Sequence, residues 1–273
     1  MTPHFTTPPP NGCIDVEAVG PVLLIGLNRP AKRNGVTPRM LRELAQAYTQ
    51  LDDDPHLRVA VLHAAGDHFT GGIDLPAMAE FHQRGEKPVP RDAGLVDPLD
   101  LDLPGYRRRN KPVVVAVQGI CFTIGIELML AADMVVAADN SRFAQMEVGR
   151  GIIAASGATL RMAERAGMGN AMRLLLTGME FNSAEALRLN FVQEVVPAGT
   201  CFARASTLAE SIAAQAPQAV VATRLNVRKS VVEGMSKAVA ELLEVQKRLA
   251  LTEDAAEGRR SFTEKRAPVF TGR

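Results

Sequence analysis

The chain has 273 residues, 47% of them hydrophobic and 22% charged, with a formal net charge of +1, no tryptophan and only two tyrosines. Such a chain buries a substantial core as one large domain with an appendage, or as two small domains, and its near-neutral balance argues against binding nucleic acid or an anionic membrane by bulk charge. Cys13, Cys121 and Cys201 are odd in number, widely spaced and without a C-x-x-C pair, so neither a disulfide framework nor a zinc site is expected.

The opening MTPHFTTPPPNG lacks the basic start and apolar run of a signal peptide, and no apolar stretch approaches the ~20 residues of a membrane span. A cytoplasmic protein is expected. Residues 13–19 and 21–27, separated by Gly20, read as two strands joined by a tight turn. After the loop NRPAKRNG, Thr37 and Pro38 form an N-cap with proline at the first helical position. The helix they open carries Met40, Leu41, Leu44, Tyr48 and Leu51 on one stripe.

Strands follow at 58–64, 112–117 and 134–138, alternating with glycine-rich loops and helices, which predicts an α/β core with a mostly parallel sheet. Between them, 85–105 is the longest irregular stretch. Asn182 and Ser183 begin a helix through Leu189, and 191–196 is the last strand. Beyond that, 201–215, 217–233, 235–251 and 253–266 are helical in period, the third with a stripe of Val239, Leu242, Leu243, Gln246 and Leu249. The expected division is 1–197 for the α/β core and 198–273 for a helical region that packs on another subunit.

Two loop-to-helix junctions stand out. In HFTGGIDL (68–75) a short helix should begin near Ile73, and in QGICFTIGIEL (118–128) another near Ile124. The first N–H groups of a helix have no internal partner and favour negative charge, so two such ends facing one cleft would form an oxyanion hole. The plainer alternative is that the glycines serve tight turns. Glu127 is conspicuous, being an acid inside the apolar run FTIGIELMLAAD (122–133).

NRPAKRNG (28–35), HFTGGIDL (68–75), AVQGICFTIGIELMLAAD (116–133) and RFAQMEVGRGIIAASGATLRM (142–162) resemble successive blocks of the crotonase (enoyl-CoA hydratase/isomerase) superfamily, closest to its enoyl-CoA hydratases. The resemblance implies a core of repeated ββα units, a C-terminal helical trimerisation region and a homotrimer or hexamer. It implies an acyl-CoA thioester as substrate, with coenzyme A carried on the substrate and no separate cofactor or metal. The backbone N–H groups of Ile73 and Ile124 are then the oxyanion donors. Glu127, three residues after the second donor, and Glu147, twenty further on, fill the two acid positions of the hydratases.

Hydration of a 2-enoyl thioester needs water delivered to C3 and a proton to C2, which two carboxylates around one water can supply. Such a pair at ~4 Å would repel by about 4 kcal/mol at an effective dielectric of 20, so it should hold one proton between its members. Within the pair, Glu127 is expected to orient and deprotonate the water and Glu147 to donate the proton, membership of the pair being the firmer expectation than the split of roles. The resemblance also places Lys32, Arg33, Gly72, Asp74, Leu75 and Gly125 along the thioester, although Asp74 alone reads as a first-turn structural acid.

The chain departs from the family at Thr123-Ile124-Gly125, where three glycines are usual. A β-branched residue disfavours positive φ, so the loop there should be conventional, and Ile73 and Ile124 should narrow the acyl site. Alternative readings are an enoyl-CoA isomerase, another thioester lyase or hydrolase, or a catalytically silent acyl-CoA-binding oligomer. His63, His68, Asp133 and Ser156-Gly157 are expected to be structural, and RRRNK (107–111) a solvated face. Lys265 and Arg266 match a position that reaches a neighbouring subunit's ligand.

Overall fold

The computed structural model describes residues 1–86 and 94–273, so residues 87–93 of the irregular stretch lie outside the described residues. Strands β1 (Cys13–Val19) and β2 (Val22–Asn28) form an antiparallel hairpin. Helix α1 (Pro38–Asp53) begins as expected: the Thr37 hydroxyl accepts the Met40 N–H at 3.3 Å, and Met40, Leu44, Tyr48 and Leu51 are buried. Strand β3 (Val59–Ala64) and helix α2 (Leu75–Gln83) follow. The helix starts two residues later than expected, because Ile73 is held in a bridge to Val36.

Next come β4 (Val113–Val117), β5 (Ile120–Phe122), α3 (Ile124–Ala131), β6 (Met134–Ala138) and β7 (Arg142–Ala144). Then α4 (Ala158–Ala166), α5 (Met168–Thr177), β8 (Phe181–Asn182), α6 (Ser183–Arg188) and β9 (Glu194–Val196) complete the α/β part. Helices α7 (Cys201–Ala213), α8 (Pro217–Val232), α9 (Met235–Ala250) and α10 (Glu253–Glu264) end the chain. The main sheet runs β1-β2-β3-β4-β6-β9, parallel after the first hairpin, and a small sheet runs β5-β7-β8. This is the α/β architecture expected, two sheets with C-terminal helices.

Both faces of the main sheet are covered, which explains the near-continuous apolar strands. Leu23, Ile25 and Leu27 enter one core with α1 and α3, while Val22 and Leu24 face a second core under α7. That second core is closed by Cys201, Ala205, Ala209 and Ala213, whose small side chains let α7 lie close on Val59, Val61, Val114 and Val136. The expected break at 198 therefore falls ahead of a helix that packs on the sheet. The stripe on α9 is different, for Val239, Leu242 and Leu243 are exposed. Among the described residues no helix is long and apolar enough to cross a membrane.

Helix α8 is fastened to the core by ions. Arg109, only 1% exposed, pairs with Asp133 at 2.7 Å, and Asp133 also takes Arg224 of α8 at 2.7 Å. Asp100 receives Arg224 and Arg228, each at 2.9 Å. The expectation of a solvated RRRNK face thus holds for Arg107 and Arg108, which pair with Asp53 and Asp102 near the surface, but not for Arg109. Its burial depends on partners 9 and 24 residues away on one side and on α8 on the other.

Candidate active site

The two junctions are stitched side by side. Thr70 and Cys121 form a parallel bridge in which Thr70 N–H donates to Ile120 O and Phe122 N–H donates to Thr70 O, each at 3.0 Å. Ile73 and Ile124 stand three residues beyond the two members of this bridge, so their amides emerge from adjacent segments. Val36 N–H to Gly72 O and Asp74 N–H to Val36 O, both 2.9 Å, fix the backbone on either side of Ile73. Among the described residues the Ile73 N–H has no acceptor. Nor has the Ile124 N–H, which opens α3 and so lacks an intrahelical partner.

The second junction is not conventional. Thr123 adopts φ 49° and ψ −113°, contrary to the expectation for a β-branched residue. Its backbone is pinned from both sides: Thr123 N–H donates to Ala144 O at 2.9 Å, and Thr123 O accepts the Ile126 and Glu127 N–H groups. The first junction has Gly72 at φ 112°, and a Cβ there would lie 2.6 Å from Thr123 Oγ1. Gly125 is buried, with the Thr70 methyl 2.6 Å from where its Cβ would be, so it serves close packing of the two segments rather than lining a cleft. The Ile124 side chain, 1% exposed, joins the core instead of narrowing an acyl site.

Glu127 lies in the first turn of α3 and is 3% exposed. Its Oε1 accepts the Ser156 N–H at 2.7 Å and the Ala158 N–H at 3.3 Å. Burial pushes its pKa up to about 7; the two amides oppose that rise and the charge of Glu147 adds to it. Glu147 is brought near because β5 and β7 pair in register, Phe122 opposite Ala144, so their continuations leave the small sheet together. It begins a 3-10 turn over Glu147–Arg150, its pKa is raised by burial, and its Oε2 is buried with no hydrogen-bond partner among the described residues. The amide clamp of Ser156 and Ala158 went unread in the sequence, since backbone donors carry no residue signature.

A cleft of about 360 Å³ runs beside the first junction, lined by Lys32, Arg33, Gly72, Ile73, Asp74 and Leu75, with Arg29 and Phe122. Lys32 and Arg33 are exposed cations on its rim, and Leu75 is 50% exposed. Asp74 is already engaged: it pairs with Arg29 at 2.7 Å and accepts the Ala77 N–H at 3.1 Å, and these bonds hold its carboxyl below the usual range. That makes it a structural acid, placed just ahead of α2 as a cap rather than in its first turn as expected. His63 sits between Phe5 and Phe202 on the α7 side of the sheet, its pKa pushed down to about 4 by burial. His68 accepts the Ile120 N–H through Nδ1 at 3.3 Å, bracing the junction. Arg266 pairs with Glu257 and Glu264 of its own chain.

A profile of the enoyl-CoA hydratase/isomerase family matches residues 17–273. A carnitinyl-CoA dehydratase of Proteus mirabilis is 38% identical over 264 residues, covering 93% of this chain and 96% of the relative. An enoyl-CoA hydratase of Mycobacterium tuberculosis is 34% identical over 262 residues, covering 94% and 96%. Among solved structures, a probable enoyl-CoA hydratase/isomerase from Mycobacterium abscessus superposes with a TM-score of 0.90 at 43% identity, covering 95% of this chain and 98% of the other. The chain belongs to the enoyl-CoA hydratase/isomerase, or crotonase, family.

Proposed function

We propose that this crotonase-family protein is a hydro-lyase that adds water across the C2=C3 bond of a 2-enoyl-CoA thioester. The observation that carries the reading is the carboxyl pair: a buried Glu127 clamped by two amides, its pKa near 7, and a neighbouring Glu147 with an unpartnered oxygen. The thioester oxygen accepts the Ile73 and Ile124 N–H groups, which draws electron density from C3. Lys32 and Arg33 lie where they can meet the phosphates of coenzyme A, with Gly72 and Leu75 along the same cleft.

In the unliganded protein Glu127 holds the pair's single proton near neutrality. A relay through the bridging water moves that proton to Glu147 and leaves Glu127 ionised. Glu127 then takes a proton from the water as its oxygen bonds to C3, and Glu147 delivers a proton to C2, so one water is consumed and the pair again carries one proton. Removal of either carboxyl should lower kcat by about 10²–10⁴-fold. The test is to replace Glu127 and Glu147 each by Gln and follow loss of crotonyl-CoA absorbance. Parental turnover in either variant removes that glutamate from the chemistry.

The 38% identity to a carnitinyl-CoA dehydratase supports a second reading, elimination of water from a 3-hydroxyacyl thioester, which the same groups perform in reverse. A panel of enoyl and 3-hydroxyacyl thioesters followed by mass separates the two. We also propose that the chain is trimer-based through its C-terminal helices. Val227, Val231, Met235, Val239, Leu243 and Phe262 are exposed apolar side chains on α8, α9 and α10, more than a monomer favours in one region. Light scattering should give a trimer or hexamer, and a monomer would refute it.

A further inference from the structure

We propose that the Thr123 hydroxyl is a third hydrogen-bond donor to the thioester oxygen, beside the two backbone amides; this rests on the oxyanion reading above. Four observations converge. Thr123 occupies φ 49°, a conformation that L side chains rarely adopt, at a position where glycine would be unstrained. It stands at the N-cap of α3, where a threonine hydroxyl ordinarily accepts a backbone N–H, yet it makes no such bond and has no other partner among the described residues.

Its orientation is defined. Of the Thr123 side-chain atoms, Oγ1 lies 2.6 Å from where a Gly72 Cβ would be, while Cγ2 lies 3.8 Å away, so the oxygen faces the first junction. Gly72 immediately precedes the Ile73 donor, and Thr123 immediately precedes the Ile124 donor. The hydroxyl of one junction therefore faces the other, and the amide that follows each of these two residues lacks an acceptor. The neighbouring carbonyl is engaged, since Gly72 O already accepts the Val36 N–H at 2.9 Å. Three donors on two stitched junctions that all lack an acceptor call for one ligand oxygen, and the half-buried setting of Thr123 leaves it reachable. Persistence of a strained residue at such a place is the pattern of a functional constraint.

The experiment compares Thr123→Val, which keeps the branched shape and removes the donor, with Thr123→Ser, which keeps the donor, and Thr123→Gly, which relieves the backbone. Two readouts are taken: kcat and KM for crotonyl-CoA, and the red shift of a bound chromophoric aromatic enoyl-CoA, which reports carbonyl polarisation without turnover. The Val and Gly variants should show a smaller red shift and a kcat lowered roughly a hundred-fold with KM little changed. The Ser variant should stay within a few-fold of the parent, and the Gly variant should melt at a higher temperature.

Parental shift and kcat in Thr123→Val would overturn the proposal. So would a Ser variant that falls as far as Val, which would make the methyl the important group, or a loss confined to KM. A parent that shifts the probe but hydrates nothing refutes the hydratase reading and leaves the Thr123 comparison intact. A parent that gives no shift refutes both.

Discussion

The two junctions reach the same end by opposite means. The first uses a glycine at φ 112°, leaves Leu75 half exposed and presents Ile73 to the cleft. The second places a threonine at φ 49° and buries Ile124 and Gly125 in the core. The first is a loop held by the segment before α1, through Val36 and the Arg29–Asp74 pair. The second is held from within, by β7 and by the helix it starts. A backbone donor can thus be built on a permissive glycine or on a constrained threonine.

The largest effect should come from breaking the contact between them. Gly72→Ala places a Cβ against Thr123 Oγ1 and forces alanine to φ 112°, so the Ile73 donor shifts and kcat should fall by about 10²–10³-fold in the crotonyl-CoA assay. Gly72→Ala should also destabilise the fold, and adding Thr123→Gly should return part of that loss, with a coupling on the order of 0.5–3 kcal/mol in a double-mutant cycle followed by urea unfolding.

The next effect concerns the acid that the second junction carries. Because burial lifts Glu127 to about 7 from 4.5, the native state binds more protons than the unfolded state between those values. Stability should therefore fall as pH rises from 4.5 to 7, by on the order of 3 kcal/mol. Glu127→Gln, neutral throughout, should flatten that slope and unfold at higher urea than the parent at pH 8, with little difference at pH 4. Equal slopes would mean that Glu127 is ionised in the fold at ordinary cost.

Gly125→Ala sharpens the contrast from the core side. The new methyl meets Thr70 Cγ2 at 2.6 Å, so overpacking should cost about 1–3 kcal/mol, read as a lower melting temperature. The smallest effects belong to the exposed rim. Lys32→Ala or Arg33→Ala should weaken coenzyme A binding only a few-fold each, as exposed charges do, and the difference should shrink in high salt.

What could be read beforehand follows the range of the forces involved. Strands β4 and β6 announced themselves by runs of valine and alanine, and α1 by Thr37, Pro38 and its stripe, because burial on both sides and capping are local requirements. Strands β5, β7 and β8, of two or three residues, carry no period to detect, yet the pairing of β5 with β7 brings the segments that carry Glu127 and Glu147 side by side. Glu127 was conspicuous as an acid in an apolar run, whereas its clamp consists of main-chain amides 29 and 31 residues on. Thr123 was misjudged because an intrinsic backbone preference yielded to one tertiary hydrogen bond, to Ala144 O, and to the first-turn bonds of the helix it opens. Arg109 was misjudged because its neighbours in sequence say nothing of Asp133 or of α8.

Helix α3 joins these two accounts. Its eight residues make a rod of about 12 Å, with every residue buried. One tip bears the Ile124 amide and Glu127, and just past the other sits Asp133, gripped by Arg109 and Arg224. The anchor for α8 and the Ile124 amide thus stand at opposite ends of one short, fully buried element.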